Sequence, residues 1–211
     1  MSVVLHVEPN WISPYVFACF ITLREKGIAF ESVALDTSSG ATKAPEYLAK
    51  TVTGRVPTLV HFGFGIGESL AIIEYLEEAF PGPRVLPETP HERARCRQLM
   101  SWIRSDETAA LRAERPTTTM FYAPPARTPL SADAERSATK LVEITERVLR
   151  PGAEHIFDAW SIIDAELAFI LHRLVKNGDP VPARVQAWAE KEWERPSVRA
   201  FLELPRPPLA G

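Results

Sequence analysis

The sequence predicts two domains of different class: an α/β domain with a mixed four-stranded sheet over residues 1–80, and an all-α domain over residues 91–211. Three observations lead there. Strand and helix patterns alternate up to residue 80. The stretch "FPGPRVLPETPH" (80–91) then interrupts the chain with four prolines and reads as a linker over 81–90. Beyond it the strand signals stop, and helical spacing of apolar residues continues.

Each element has its own reason. Residues 3–7 form an apolar run of strand length. Ser13 and Pro14 open a helix over 15–26 that Gly27 closes, the expected order of cap, first-turn proline and terminating glycine. Residues 30–35 form a second strand, and 45–50 a short helix. Residues 58–60 and 64–66 pair as a hairpin around His61-Phe62-Gly63. A helix over 69–80 places Leu70, Ile73 and Leu76 at helical spacing. In the second domain a long helix over 91–115 starts from Thr89 and Pro90. Residues 116–130 form a loop, and 131–149 a second long helix. The helix over 161–175 is apolar on nearly every side and belongs at the centre of the bundle. Helices over 182–194 and 197–204 complete the chain.

Composition narrows the class. The chain has 211 residues, 45% hydrophobic and 24% charged, enough apolar material for a sizeable core. A net charge of −3 does not point to nucleic acid or an anionic membrane. No apolar run approaches the roughly 20 residues needed to span a bilayer. "MSVVLHVEPNW" reads as a strand rather than a signal peptide. Two cysteines, Cys19 and Cys96, make neither a disulfide framework nor a zinc spacing, so a cytoplasmic location is expected. Cys19, between Phe17 and Phe20, reads as a packed thiol; Cys96, flanked by Arg95 and Arg97, reads as structural or, if exposed, reactive.

Pro57 stands where a short central strand should start. A cis Val56–Pro57 bond makes that tolerable; a trans proline on an edge strand is the other reading. A cis bond would turn the Val56 N–H and C=O outward, where they could pair with an extended peptide as an added strand does. Glu68 and Ser69 stand at a helix start. That terminus with Ser69 suits a carboxylate and Glu68 suits an ammonium, so together they suit an α-amino-acid head group. The alternative is Ser69 as an ordinary cap. Ser13 follows the first strand, and in an α/β unit strand ends and helix starts gather on one edge.

The segment "VPTLVHFGFGIGESLAIIEYL" (56–76) resembles the glutathione-binding half of the glutathione S-transferase family, and "SIIDAELAFILHRL" (161–174) resembles that family's Ser-x-x-Asp box. "SPYVFACFITLREKG", "GRVPTLV" and "RARCRQLMSWIRSDETAALRAERPT" resemble its bacterial YfcF-type subgroup. The resemblance covers essentially the whole chain. It implies a thioredoxin-like first domain with a cis-proline, a helical second domain, a homodimer, and glutathione as co-substrate with no other cofactor and no metal. Ser13 would contact the thiol, with Tyr15 as the competing hydroxyl. Val56 and Pro57 would present main chain to the cysteinyl part, and Arg55 would lie near the glycyl carboxylate. Glu68 and Ser69 would hold the γ-glutamyl end. The Asn-Pro that in the family often precedes the glycine matching Gly54 is replaced in "AKTVTGRVP", and Lys43 is the candidate for the remaining glycyl contact. Tyr15, Trp102, Phe121 and Tyr122 would line an acceptor pocket between the domains; packing in the core is the other role for the aromatics. Asp106 would reach the partner subunit's γ-glutamyl amine. The arginines of the helix after the linker would attract the anionic ligand or simply face solvent. Ser161 and Asp164 would cap the buried helix.

The chemistry follows from the thiol. Its free pKa is about 8.5, so little is ionised at neutral pH. A hydroxyl donating to sulfur in a bond worth about 1.5–3 kcal/mol would lower that value by roughly one to two units. The expected activity is transfer of the glutathione thiolate to small hydrophobic electrophiles, with attack on hydroperoxides as a further outcome. Disulfide exchange is disfavoured, because serine cannot form a mixed disulfide. A glutathione-fold binding protein without turnover is the remaining alternative.

Overall fold

A computed structural model gives the structure of the chain and describes residues 2–122 and 124–209. Contacts divide it into two compact units, residues 1–85 with 200–211, and residues 86–199.

The first unit is built on the sheet order β2-β1-β3-β4, with β1 at Val3–Val7, β2 at Glu31–Ala34, β3 at Thr58–His61 and β4 at Phe64–Gly67. β1 runs parallel to β2 and antiparallel to β3, and β3 runs antiparallel to β4. The inner strands account for the apolar run at 3–7: Val3, Leu5, Val7 and Leu59 are buried, whereas the edge strand β2 is mostly exposed. Phe62 and Gly63 both take positive φ, 50° and 82°, and make the two-residue turn that joins His61 to Phe64.

Helix α1 (Pro14–Glu25) starts at the N-cap Ser13 and buries Val16 to Leu23 without a break, packing against α3 (Ser69–Ala79). Between β2 and β3 lie a 3-10 turn at Ala41–Lys43 and the short helix α2 (Pro45–Leu48). The buried Lys26 donates to Glu77 and to the Pro83 carbonyl, each at 3.1 Å, and Val85 N–H donates to the same Glu77 carboxylate. That network holds the proline-rich connector to the first unit. From the far end of the chain Phe201 is fully buried and meets the rings of Trp11, Phe17 and Phe20 edge-on.

The second unit is helical: α4 (Pro90–Trp102), α5 (Ala109–Glu114), α6 (Thr118–Phe121), α7 (Ala132–Val148), α8 (Ile162–Val175), α9 (Ala183–Trp193) and the start of α10 (Pro196–Leu202). α8 is buried from Ile162 to Leu174, as its apolar surround requires. Its start is a capping box: Asp164 accepts from Ser161 N–H at 2.9 Å, and also from Ile156 N–H at 2.7 Å. Burial raises the Asp164 pKa, against the hydrogen bonds that lower it. Arg104 pairs with Glu166 inside this unit, and Arg115 forks onto Asp179 at 2.6 and 2.8 Å.

Two expectations need correction. The helix expected over 91–115 breaks after Trp102. Ser105 Oγ donates to the Trp102 carbonyl at 2.6 Å and Thr108 Oγ1 to that of Ile103 at 3.1 Å, so side chains compete for carbonyls the helix would use. A 3-10 turn at Asp106–Thr108 separates α4 from α5. The loop expected over 116–130 carries the short helix α6. Other element ends move by one or two residues.

Candidate active site

The strand register gathers the candidate residues of the first unit. His6 on β1 pairs with Thr58 on β3, and Thr58 pairs with Gly67 on β4. Thus the end of β1, the start of β3 and the end of β4 share one end of the sheet. The chain leaving β1 reaches Ser13, the chain entering β3 contributes Val56 and Pro57, and the chain leaving β4 supplies Glu68 and Ser69. Helices α1 and α3 begin at these exits, and Cys19 Sγ lies 3.9 Å from the Ser69 carbonyl, where the two helices meet.

Ser13 sits in extended conformation, and its Oγ accepts from the N–H groups of Tyr15 and Val16, each at 3.3 Å. Both bonds use Oγ as acceptor; the hydroxyl proton is not spent on either. Behind it, Glu8 Oε1 accepts from Ile12 N–H at 2.6 Å and Ser13 N–H at 2.7 Å. Glu8 is 8% exposed. Burial raises its pKa; the backbone donors and the Arg206 charge act against that rise. Arg206 donates to the Trp11 carbonyl at 3.3 Å, and Trp11 holds φ at +51°. Tyr15 lies in the first turn of α1 and is half-buried.

The Val56–Pro57 bond is cis and leads directly into β3, an inner strand of the sheet rather than an edge. The turn before β3 is fastened from behind. Tyr47 Oη lies 2.7 Å from the Arg55 carbonyl and 2.9 Å from Thr58 Oγ1, which itself donates to the Arg55 carbonyl at 2.8 Å. Burial raises the Tyr47 pKa, keeping this hydroxyl protonated. The Arg55 residue is exposed, as is Lys43 at the end of the 3-10 turn.

Glu68 occupies the N-cap position of α3, with φ +63°, ψ 115° and no side-chain capping bond; Ser69 is the first helical residue and is buried. Reading Ser69 as an ordinary cap is therefore corrected. A non-glycine residue at positive φ costs of order 1–3 kcal/mol, and here the cost falls on an exposed acid beside a helix N-terminus. The first turn of α3 has N–H groups without acceptors inside the helix.

The remaining candidates belong to the second unit. Trp102 ends α4, with its indole N–H buried and without a hydrogen-bond partner. Phe121 ends α6, its ring 6.3 Å from that of Phe169, and half-buried Tyr122 follows. Asp106 is exposed on the 3-10 turn. Among the described residues no group of three or more His, Cys, Asp or Glu could hold a metal ion, and no helix is long and apolar enough to cross a membrane.

Sequence reasoning missed Glu8, Tyr47, Thr58 and Arg206. Glu8 had one signal, an acid directly after an apolar strand and five residues before a helix cap. The other three act through contacts that only the fold creates.

Known proteins resemble the chain over both of its parts. A family model described as glutathione S-transferase, N-terminal domain, matches residues 11–84, and one described as glutathione S-transferase, C-terminal domain, matches residues 90–206. The chain is 29% identical over 193 residues to glutathione S-transferase F10 of Arabidopsis thaliana, covering 85% of this chain and 86% of that protein. It is 34% identical to a glutathione transferase homolog from Burkholderia gl BGR1 solved with bound glutathione, with a TM-score of 0.76 and 96% of each chain covered. A maleylacetoacetate isomerase from Methylobacterium extorquens AM1, solved with malonate and glutathione, is 29% identical, with a TM-score of 0.71 and coverage of 97% and 98%.

Proposed function

The chain belongs to the glutathione S-transferase family, and from that premise we propose that its sheet end binds glutathione and that Ser13 activates the thiol for attack on small hydrophobic electrophiles. The observation that carries this reading is the state of Ser13 Oγ. It accepts two backbone N–H groups, which leaves its proton to donate to sulfur and lets the start of α1 favour the anion.

The rest of the ligand follows the same end of the sheet. Val56 offers its main chain beside the cis-proline to the cysteinyl unit, and exposed Arg55 and Lys43 suit the glycyl carboxylate. The start of α3 with Ser69 suits the γ-glutamyl carboxylate, and Glu68 suits its amine. Trp102, Phe121 and Tyr122 are our candidates for apolar acceptor contacts, with Tyr15 as a further hydroxyl. We divide the chain into a glutathione-binding domain (1–80), a linker (81–90) and a helical domain (91–211). We assign the protein to the YfcF-type subgroup, to the reducing cytoplasm, and to a homodimer in which Asp106 serves the partner subunit's site.

Serine rather than cysteine at position 13 separates this chemistry from disulfide exchange, since a hydroxyl cannot carry a mixed disulfide. The test is glutathione assayed with an aryl halide, an organic hydroperoxide and a mixed disulfide. Turnover of the halide, with or without the peroxide, is expected. Turnover of the disulfide alone would reject the reading, and binding without any turnover would make the protein a glutathione carrier.

A further inference from the structure

We infer that Glu8 is a positioning residue for Ser13: its carboxylate fixes the loop between β1 and α1 so that the Ser13 hydroxyl faces the glutathione sulfur. The inference rests on Ser13 being the activating group.

Four observations converge on it. First, one oxygen of Glu8 takes both the Ile12 and Ser13 N–H groups, at 2.6 and 2.7 Å. The residue that carries the reactive hydroxyl is thus held by its own backbone. Second, the carboxylate is buried: Glu8 is 8% exposed, and its Oε2 is buried with no protein hydrogen-bond partner. A buried carboxylate held this way is costly, and a surface loop of six residues does not need one. Third, the same loop is fixed at its other face. The Trp11 ring packs edge-on against Phe20 and Phe201, and Arg206 donates to the Trp11 carbonyl. Fourth, Trp11 takes φ +51°, so the loop is bent into a conformation it would not adopt without these restraints. With Glu8 removed, the Ile12 and Ser13 N–H groups lose their acceptor, and Ser13 can rotate away while the helix it caps persists.

The charge on Glu8 cannot itself help the thiolate, since a nearby anion opposes ionisation of the thiol. Geometry and charge therefore make opposite forecasts. Glu8→Gln keeps an acceptor oxygen and removes the charge, so positioning requires that it titrate bound glutathione at or below the wild-type pKa. Glu8→Ala should raise that pKa by about one unit, with a roughly tenfold fall in kcat/KM at pH 7. Glu8→Asp draws the acceptor back by one methylene and should rise by a smaller amount. It decides the matter should the alanine variant fail to fold.

The experiment is the ultraviolet thiolate absorbance of bound glutathione against pH for these variants and Ser13→Ala, with calorimetric glutathione affinity and thermal melting on each. Raised pKa values in the folded Ala and Asp variants, at near wild-type affinity and restored by Gln, would support the inference. If Ser13→Ala shifts the titration and Glu8→Asp does not, Glu8 is structural only. If Glu8→Gln matches Glu8→Ala at equal stability, charge rather than position is at work and the inference falls. An unshifted Ser13→Ala rejects the Ser13 reading itself, and Glu8 with it.

Discussion

Ser13 and Glu68 divide the work by which part of the ligand each would meet. Ser13 would touch the atom that reacts, and Glu68 a distant ammonium that does not. Glu68→Ala should therefore raise the half-saturating glutathione concentration several-fold and leave kcat within about twofold. Calorimetry and steady-state kinetics check this, and an unchanged affinity would remove Glu68 from the site. The positive φ of Glu68 sharpens the case, because the backbone cost at that position falls on an exposed side chain that makes no capping bond to the helix it opens. At this scale much of the site could be read in advance. Ser13-Pro14 declares itself, because a cap followed by a first-turn proline is a local signal. Pro57 declares itself through its conflict with strand geometry. Glu8 does not, because the donors it will accept from, the Ile12 and Ser13 N–H groups, look like any backbone until the loop folds over the carboxylate. Tyr47 is silent for the same reason: its hydroxyl acts on the Arg55 carbonyl, eight residues away.

Among the elements, β4 is the one whose glycines answer to the site. A Cβ on Gly65 would stand 1.9 Å from the Lys50 carbonyl oxygen and 2.8 Å from its carbon. Both are backbone atoms, so the segment leading to Val56 would have to move. Gly65→Ala should cost about 1–3 kcal/mol and weaken glutathione binding. Gly63→Ala meets no atom within 4 Å and strains only the hairpin turn, so it should leave affinity alone. Urea unfolding with calorimetry distinguishes the two, and equal affinities in both variants would disconnect β4 from the site. In the second unit, His172 on α8 is 1% exposed, and burial holds its pKa down to about 4. Its ordinary value is about 6.5. Between those values the unfolded chain binds more protons, so stability rises with pH, is fully present above about 6.5 and is lost as pH falls toward 4. At pH 4.5 the loss relative to pH 7 should be about 2–3 kcal/mol greater in wild type than in His172→Gln. Parallel pH slopes in urea unfolding would show that His172 is not buried in its neutral form. The break after Trp102 was beyond a periodic reading, since Ser105 and Thr108 end the helix through hydroxyl contacts rather than through a glycine or proline.

For the whole molecule, the alternation of strands and helices before the proline cluster, and its cessation afterwards, was enough to separate an α/β part from a helical part. The buried α8 was equally legible, because its apolar surround leaves no solvent face. What could not be read is the return of the chain end. Phe201 joins Trp11, Phe17 and Phe20, and Arg206 bonds the Trp11 carbonyl, nearly two hundred residues earlier in the chain. Nothing in local spacing announces such a contact. The segment fixed in this way is the one that carries Ser13, the residue proposed to activate the thiol. The most direct measurement is the ultraviolet absorbance of the glutathione thiolate on the intact protein as a function of pH, in wild type and in Ser13→Ala. Bound glutathione should ionise at least about one unit below the free thiol value of about 8.5 in wild type, and return toward it in Ser13→Ala at similar affinity. A wild-type titration at the free value, or one that Ser13→Ala leaves unmoved, would contradict the assignment of Ser13 as the group that activates glutathione.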